Sequence, residues 1–236
     1  LIIALYFLLL LLLFDILQIA GISEKNNVKW KKPIALILFV IIAIFSAGPF
    51  KSFEVTFVDV GQGDCILIKT RGNKTILIDG GGAPPYYEGD FDTGEDIVIP
   101  FLYSKGIKEI DLVIFSHFDD DHAKGLLSVL DSMNVGAIMY GVPEDVDIYN
   151  EMIEIARKRG IKTLKVQRGD RFSVDGAHFK VLNPDPLAQG SQSSNDNSVV
   201  LKMKYNDISF LFTGDLEYQV ERELVASRLD IKADVL

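Results

Sequence analysis

The chain has 236 residues, of which 48% are hydrophobic, and it carries a formal net charge of −9. The first 52 residues hold five Lys and two acidic residues, so residues 53–236 keep 19 of the 24 basic and 31 of the 33 acidic side chains. This acidic balance excludes a protein that binds phosphate backbones over its whole surface. Cys65 is the only cysteine, which excludes an intrachain disulfide, and its apolar neighbours predict a buried thiol.

Two apolar runs, residues 1–20 and 33–49, precede the rest of the chain. At about 1.5 Å rise per residue, helices of this length approach the roughly 30 Å hydrocarbon core of a bilayer. Residues 1–50 are therefore predicted to form two transmembrane helices, with a buried helical hairpin as the alternative. The link at residues 21–32 holds four lysines against one Glu, and positive charge of this kind stays in the cytoplasm.

This topology places the domain after residue 50 outside the cell or in the periplasm. Because the chain does not begin with Met, we expect it to be a part of a longer protein. Residues 53–236 have the composition of one soluble domain with a single core.

The first half of this domain combines strands with one helix. Alternating or apolar segments predict strands at residues 53–59, 65–69, 75–78 and 111–115, and a helix is expected over 97–105. Farther along, helices are predicted to end near residue 133 and to span 148–159 and 217–228. The remaining predicted strands lie at residues 137–140, 162–166, 178–182, 198–204, 208–213 and 231–236. This order predicts an α/β fold with two sheets flanked by helices.

The most informative segment is Ser116-His117-Phe118-Asp119-Asp120-Asp121-His122, which lies between the strand at 111–115 and a helix. Two imidazoles and three carboxylates on one turn are costly to assemble unless a cation neutralises them. Imidazole with carboxylate suits zinc, manganese or iron. An acidic helix N-terminus is the alternative, and it explains Asp120 but not His117 and His122.

Three features together resemble the metallo-β-lactamase superfamily: Asp79 after a strand, the His-rich turn, and Thr213-Gly214-Asp215 after a late strand. The resemblance implies an αββα sandwich with a metal site at one sheet edge. The superfamily turn is His-x-His-x-Asp-His, whereas here Asp119 replaces the second His. This variant, the stretches at residues 57–64 and 195–201, and the apolar runs upstream resemble ComEC-type DNA-uptake channel proteins.

The resemblance implies a site with two divalent metal ions, manganese or zinc. His117 and Asp119 would bind one ion, Asp121 and His122 the other, and Asp215 would bridge both. Asp121 and Asp215 are also the predicted catalytic residues. The side chains expected behind the ligands or at the substrate are Asp79, Asp64, Asn197, Ser198 and Lys124.

Alternatives remain for several of these residues. Asp215 is also a good helix N-cap, Asp79 and Asp64 also suit turns, and Lys124 is also typical of an exposed helix start. The segment 195–198 occupies the place of a third superfamily His. A further His ligand is expected beyond residue 236, so the domain at 53–236 is expected to be incomplete at its C-terminus.

Two divalent ions support metal-assisted hydrolysis. The resemblance implies a nuclease that acts on incoming DNA outside the membrane, with DNA, the membrane and other parts of the same channel protein as partners. A domain that only guides or binds DNA at the channel, with a degenerate metal site, is the main alternative. A membrane-anchored hydrolase of small esters or lactams is a third, because the site alone does not name its substrate.

Overall fold

The computed structural model describes residues 52–82, 89–187 and 193–236. The two predicted transmembrane helices and the basic loop between them lie outside these residues. Within the described ranges, no helix combines the length and the apolar character that crossing a membrane requires.

Six strands form the first sheet, and their order in the sheet follows their order in the chain. They are β1 (Glu54–Phe57), β2 (Ile66–Lys69), β3 (Thr75–Ile78), β4 (Glu109–Ile114), β5 (Asn134–Tyr140) and β6 (Lys162–Lys165). The pairs β1–β2 and β2–β3 are antiparallel, whereas β3 to β6 run parallel. The sheet is mixed because loops without helices connect the first three strands and helical crossovers connect the last four.

The crossovers carry helices on the outer face of this sheet. One turn of π-helix, Gly94–Val98, leads into α1 (Ile99–Ser104), and α2 (Asp120–Ser132) and α3 (Asp147–Arg159) follow. Apolar side chains of α2 and α3, among them Leu126, Leu130 and Met152, pack in one buried cluster with the strands. Helix α3 ends where Gly160 adopts the left-handed conformation, with φ of 68°.

The second sheet has four antiparallel strands in the order β10-β9-β8-β7. They are β7 (Arg171–Val174), β8 (Ala177–Asn183), β9 (Val200–Tyr205) and β10 (Ile208–Phe212). Two-residue turns, Asp175-Gly176 and Asn206-Asp207, connect the outer pairs. Strand β7 was not predicted. At the other end, the predicted strand at 231–236 is reduced to one parallel bridge between Phe210 and Val235.

The two sheets pack face to face and enclose a core between them. This core joins residues of the first sheet, such as Ile76 and Ile114, with residues of the second, such as Phe179 and Met203. Helix α4 (Tyr218–Ala226) covers part of the outer face of the second sheet through Leu224. The predicted α/β class is confirmed, and the layers run helices, sheet, sheet, helix.

Candidate metal centre

The chemistry-bearing residues meet at one edge of the sandwich because of the strand directions. Strands β3 and β4 are parallel neighbours, so Asp79 and Ser116 follow their carboxyl ends side by side. Strand β2 begins at this edge because it is antiparallel to β3, and Asp64 lies just before it. The second sheet joins the same edge where the Val199 N–H donates to the Ser116 carbonyl oxygen over 2.8 Å.

The Asp79 carboxylate is the centre of a buried hydrogen-bond network. The Ser116 N–H donates to Asp79 Oδ1 over 2.8 Å, and the Ser116 hydroxyl donates to Asp79 Oδ2 over 2.6 Å. His122 Nδ1 lies 3.1 Å from the same Oδ2. Asp79 has a φ of 54°, a left-handed conformation that Asp tolerates better than most residues, so it serves the turn and the network together.

The network fixes the tautomers of both histidines. An ionised carboxylate only accepts hydrogen bonds, so the single Ser116 hydroxyl proton points to Asp79. The Ser116 oxygen must then accept from His117 Nδ1, which is 2.9 Å away. His122 Nδ1 likewise donates to Asp79. In both rings Nε2 is therefore the atom left to offer a lone pair to a metal, and hydrogen bonds at Nδ1 are typical of metal-binding histidines.

Three donors converge on one point of this edge: His117, His122 and Asp215. The two imidazole centroids are 4.4 Å apart, and His122 Nε2 lies 3.2 Å from Asp215 Oδ1. His117 Nε2 is buried and has no hydrogen-bond partner in the described residues. A buried polar atom without a partner is costly, and a bound cation would supply the missing interaction.

The carboxylates of the candidate centre lie nearer to solvent than the imidazoles. Asp119 Oδ2 is 3.8 Å from His117 Nε2, and its side chain is 45% exposed, against 0% for the imidazole. Asp121 is half-buried and, like Asp119, belongs to neither convergent group of donors. Asp215 is exposed. We call Asp64, Asp119, Asp121 and Asp215 the carboxylate rim, and Asp79, Ser116, His117 and His122 the buried group.

Asp64 belongs to a second convergent group, with Asp79 and His122. Although Asp64 is an exposed residue, partial burial of its carboxyl raises its pKa, and the charges of Asp79 and Asp215 raise it further, against the lowering effect of His122 and His117. The backbone also fixes this residue, because the Asp64 carbonyl accepts from the Gly81 N–H over 2.9 Å. Asp79 already accepts three hydrogen bonds, so Asp64 is the carboxylate of this group that remains available to a ligand.

The acidic surroundings stabilise the protonated form of His122. Burial opposes the charged imidazole and lowers its pKa, but the hydrogen bond to Asp79 and the charges of Asp79, Asp215 and Asp121 outweigh burial. Together these interactions raise the pKa of His122 to about 9. A proton at this position in metal-free protein occupies the place that a divalent cation would take.

Close backbone packing supports the turn that carries His122. The Gly80 N–H donates to the His122 carbonyl over 2.8 Å, and the Gly125 N–H of α2 donates to the Gly81 carbonyl over 2.9 Å. A Cβ at Gly63 would collide with the Asp121 carbonyl, so only glycine permits this approach. The glycine-containing segments at 61–63 and 80–82 therefore pack closely against the N-terminal part of α2.

The other predicted site residues lie around this centre. Lys124 is exposed and forms an ion pair with Asp120 over 3.7 Å, and the Asp120 side chain also faces solvent. Ser198 is fully buried, and its hydroxyl has no partner in the described residues. Asn197 Nδ2 lies 3.3 Å from Glu144 Oε1. Outside the centre, Cys65 is buried and burial raises its pKa, which agrees with a core thiol.

Two residues of this edge were missed by sequence reasoning. Ser116 connects Asp79 to His117, and its only signal was a hydroxyl directly before the first His of the turn. Asn183 positions the segment that contains Ser198, because its amide donates to the carbonyls of Asp196 and Ser198 over 2.9 and 2.8 Å. Neither residue type carries a specific sequence signal for such a role.

Comparison with known proteins agrees with this architecture. Residues 58–234 match the metallo-β-lactamase superfamily, and the chain belongs to that family. It is 33% identical over 214 residues to ComE operon protein 3 of Bacillus subtilis (strain 168), covering 86% of this chain and 26% of that protein. It is 28% identical over 179 residues to Competence protein ComA of Neisseria gonorrhoeae, covering 76% and 22%.

The chain thus spans about a quarter of the length of these relatives. Among solved structures, the crystal structure of MEM-A1, a subclass B3 metallo-β-lactamase from a soil metagenome library, aligns with a TM-score of 0.50 and 15% identity. The alignment covers 79% of this chain and 77% of MEM-A1, and at this identity it supports the fold alone.

Proposed function

We propose that this chain is the metal-dependent hydrolase part of a membrane DNA-uptake protein and that it cleaves phosphodiester bonds of incoming DNA outside the membrane. The observation that carries the hydrolase proposal is the convergence of His117, His122 and Asp215, with His117 Nε2 buried and without a partner. The relatives named for the ComE operon and for competence support DNA as the substrate.

The residues at this edge fit divalent cations. His117 with Asp119, and His122 with Asp121, would bind manganese or zinc ions, and Asp215 would contact both. Such ions supply a water of lowered pKa and stabilise negative charge on the phosphate oxygens. The mixed imidazole and carboxylate donors suit either metal, and the carboxylate at position 119 favours the harder manganese ion.

The protein's own groups have separate roles in this hydrolysis. The buried group orients both Nε2 atoms, so the imidazoles need no reorganisation when a ligand arrives. Asp215 lies exposed 3.2 Å from His122 and is placed to orient the attacking water and accept its proton. The water oxygen forms the new bond to phosphorus, the bond to the leaving oxygen breaks, and that oxygen takes up a proton.

The direct test is cleavage of labelled DNA by the complete domain with manganese or zinc, measured for the wild-type protein and for the variant that combines Asp121→Asn and His122→Ala. This variant should lose bound metal, measured by elemental analysis, and lose cleavage while circular dichroism still reports a folded sandwich. Asp120→Asn on the same turn is the matched control and should retain both. Cleavage that persists in the double variant at unchanged metal content would refute the assignment of these ligands.

The location of the domain has a test of its own. The lysines at residues 25–32 favour a cytoplasmic loop between two membrane helices, which would place residues 53–236 outside the membrane. A reporter enzyme that works only outside the cytoplasm should be active when it is fused after Thr70. Activity confined to a cytoplasmic reporter would contradict uptake-linked cleavage.

A DNA-guiding domain without catalysis is the second candidate. The carboxylate at position 119 and the absence of a His in the segment 195–198 favour it, because both depart from the superfamily pattern. Tight DNA binding that needs no metal, with no cleavage under any divalent ion, would support this candidate over the nuclease.

A further inference from the structure

The outer face of the four-stranded sheet carries rows of cationic side chains. In one row Arg171 lies opposite Lys180, and Lys180 lies opposite Lys202 on the next strand. In the adjacent row His178 lies opposite Lys204. We call these five residues the basic ladder.

The alternation of the strands points the basic ladder away from the core. Phe172, Phe179 and Met203, which alternate with ladder residues, pack in the cluster between the two sheets. Arg171, His178 and Lys204 are exposed, and Lys180 is half-buried. Helix α4 packs over Leu182 and Val200 on this face, and the Lys202 side chain is only 12% exposed.

The charges of the ladder are poorly compensated. Like charges directly opposite one another on neighbouring strands destabilise a sheet. Within the described residues, the ladder forms one salt bridge, between Lys202 Nζ and Asp230 Oδ2 over 2.7 Å. The hydrogen bond from Lys202 lowers the pKa of Asp230, and the charges of Lys202, Lys180 and Lys204 lower it further. One carboxylate thus faces several cations.

This concentration of positive charge contrasts with the rest of the domain, where acidic side chains outnumber basic ones. We propose that the basic ladder is a binding surface for the phosphate backbone of duplex DNA, separate from the metal centre. The choice of DNA as the polyanion rests on the proposed function, whereas the surface itself rests on the register and charge of the strands.

The dimensions and side chains of the ladder suit a duplex. A row across three strands spans about 10 Å, and adjacent rows on one face are about 7 Å apart. Duplex DNA carries a negative charge for about every 1.7 Å of its axis, so several phosphates pass within reach of these cations. The ladder contains no Phe, Tyr or Trp side chain on which single-stranded bases would stack, which favours contact with the backbone.

The test is a titration of a short labelled duplex with the full chain in detergent solution, followed by fluorescence anisotropy in the presence of a metal chelator. The variant combines Arg171→Gln, Lys180→Gln and Lys204→Gln. Its DNA affinity should fall about tenfold or more at about 50 mM salt. The slope of log affinity against log salt should shrink by up to about 2.7, at about 0.9 for each lost phosphate contact.

The matched control removes one Arg and two Lys from exposed positions outside the second sheet, through Arg157→Gln on α3, Lys108→Gln just before β4 and Lys162→Gln on β6. It should retain most of the affinity and the salt slope. Equal losses in the two triple variants would overturn the proposal, because net charge alone would then explain binding. Unchanged DNA affinity with lost binding to phosphatidylglycerol vesicles would also overturn it and assign the ladder to a membrane surface.

The chelator separates this outcome from that of the proposed function. If ladder-dependent binding is found but no metal supports cleavage, the nuclease proposal fails and the ladder proposal stands. If cleavage is found but the two triple variants bind DNA alike, the ladder proposal fails alone.

Discussion

The buried group and the carboxylate rim differ in how firmly the fold fixes them. Asp79, Ser116, His117 and His122 are each no more than 3% exposed and are joined by short hydrogen bonds. The rim carboxylates reach toward solvent, and Asp119 and Asp215 are each nearly half exposed. The fold therefore prepares the imidazoles in advance and leaves the carboxylates free to adjust to a ligand. Substitutions should have large effects in the buried group and smaller ones at the rim.

Asp79→Ala should produce the largest effect of a single change. It removes the acceptor of three hydrogen bonds and leaves buried donors unpaired, each costing about 1–3 kcal/mol. We expect unfolding free energy to fall by about 3 kcal/mol or more and metal affinity to fall by more than about 100-fold. Chemical denaturation and metal titration measure the two effects.

Asp79→Asn is the informative companion, since Asn also tolerates the left-handed conformation of this turn. It keeps one oxygen acceptor and should fall between the wild-type protein and Asp79→Ala. Wild-type metal affinity in Asp79→Ala would show that the buried group does not prepare the site.

The pH dependence of metal-free protein should report His122. Its pKa is raised from 6.5 to about 9 on folding, so the stabilisation is fully present below pH 6.5 and is lost as pH rises toward 9. The change is on the order of 3 kcal/mol. Metal affinity should move in the opposite direction and increase over this window, because a cation must displace the proton. If the unfolding free energies of the wild-type protein and of His122→Gln changed alike between pH 6.5 and 9, the pH dependence would come from a group other than His122.

Ser116→Ala should have an intermediate effect. The Ser116 hydroxyl hydrogen-bonds to both the Asp79 carboxylate and His117 Nδ1. Loss of such a partner behind a metal ligand costs about 10- to 100-fold in metal affinity. Ser116→Thr keeps a hydroxyl and should restore most of this loss. If competition with a chromophoric chelator gave equal affinities for the Ala and Thr variants, Ser116 would have only a packing role.

At the rim, Asp119→His should have the smallest effect on the maximal rate of DNA cleavage, a change of less than about tenfold. His is a good ligand for zinc and carboxylate suits manganese, so the substitution should shift the preferred metal toward zinc. Rates measured across a series of divalent ions test this expectation. Complete loss of activity with every ion would mean that position 119 requires a carboxylate.

The sequence predicted the fold well wherever local signals agreed with tertiary packing. The strand at residues 75–78 has its predicted bounds, and the Asn206-Asp207 turn connects the predicted pair of strands. Strand β7 was missed because Arg171 and Ser173 face solvent at the sheet edge and give it a weak apolar pattern. The Asp175-Gly176 turn that follows it was the available signal.

The candidate site was predictable in its parts but not in its connections. The segment from Ser116 to His122 indicated a metal turn because two imidazoles and three carboxylates are rare so close together. The contact of Asp79 with residues about 40 positions later depends on β3 and β4 being parallel neighbours. No single-sequence pattern encodes that pairing. The sequence therefore left open whether Asp79 forms a turn or supports a metal ligand, and the structure shows that it does both.

The central claim is that Asp79 leaves the Nε2 atoms of His117 and His122 free to bind divalent ions. Anomalous diffraction from crystals of the full chain loaded with manganese or zinc tests it most directly. Metal peaks are expected at about 2.0–2.2 Å from each Nε2, with Asp79 hydrogen-bonded behind the imidazoles. Metal bound at Nδ1 or at the Asp79 carboxylate, or no peak near either imidazole, would contradict it.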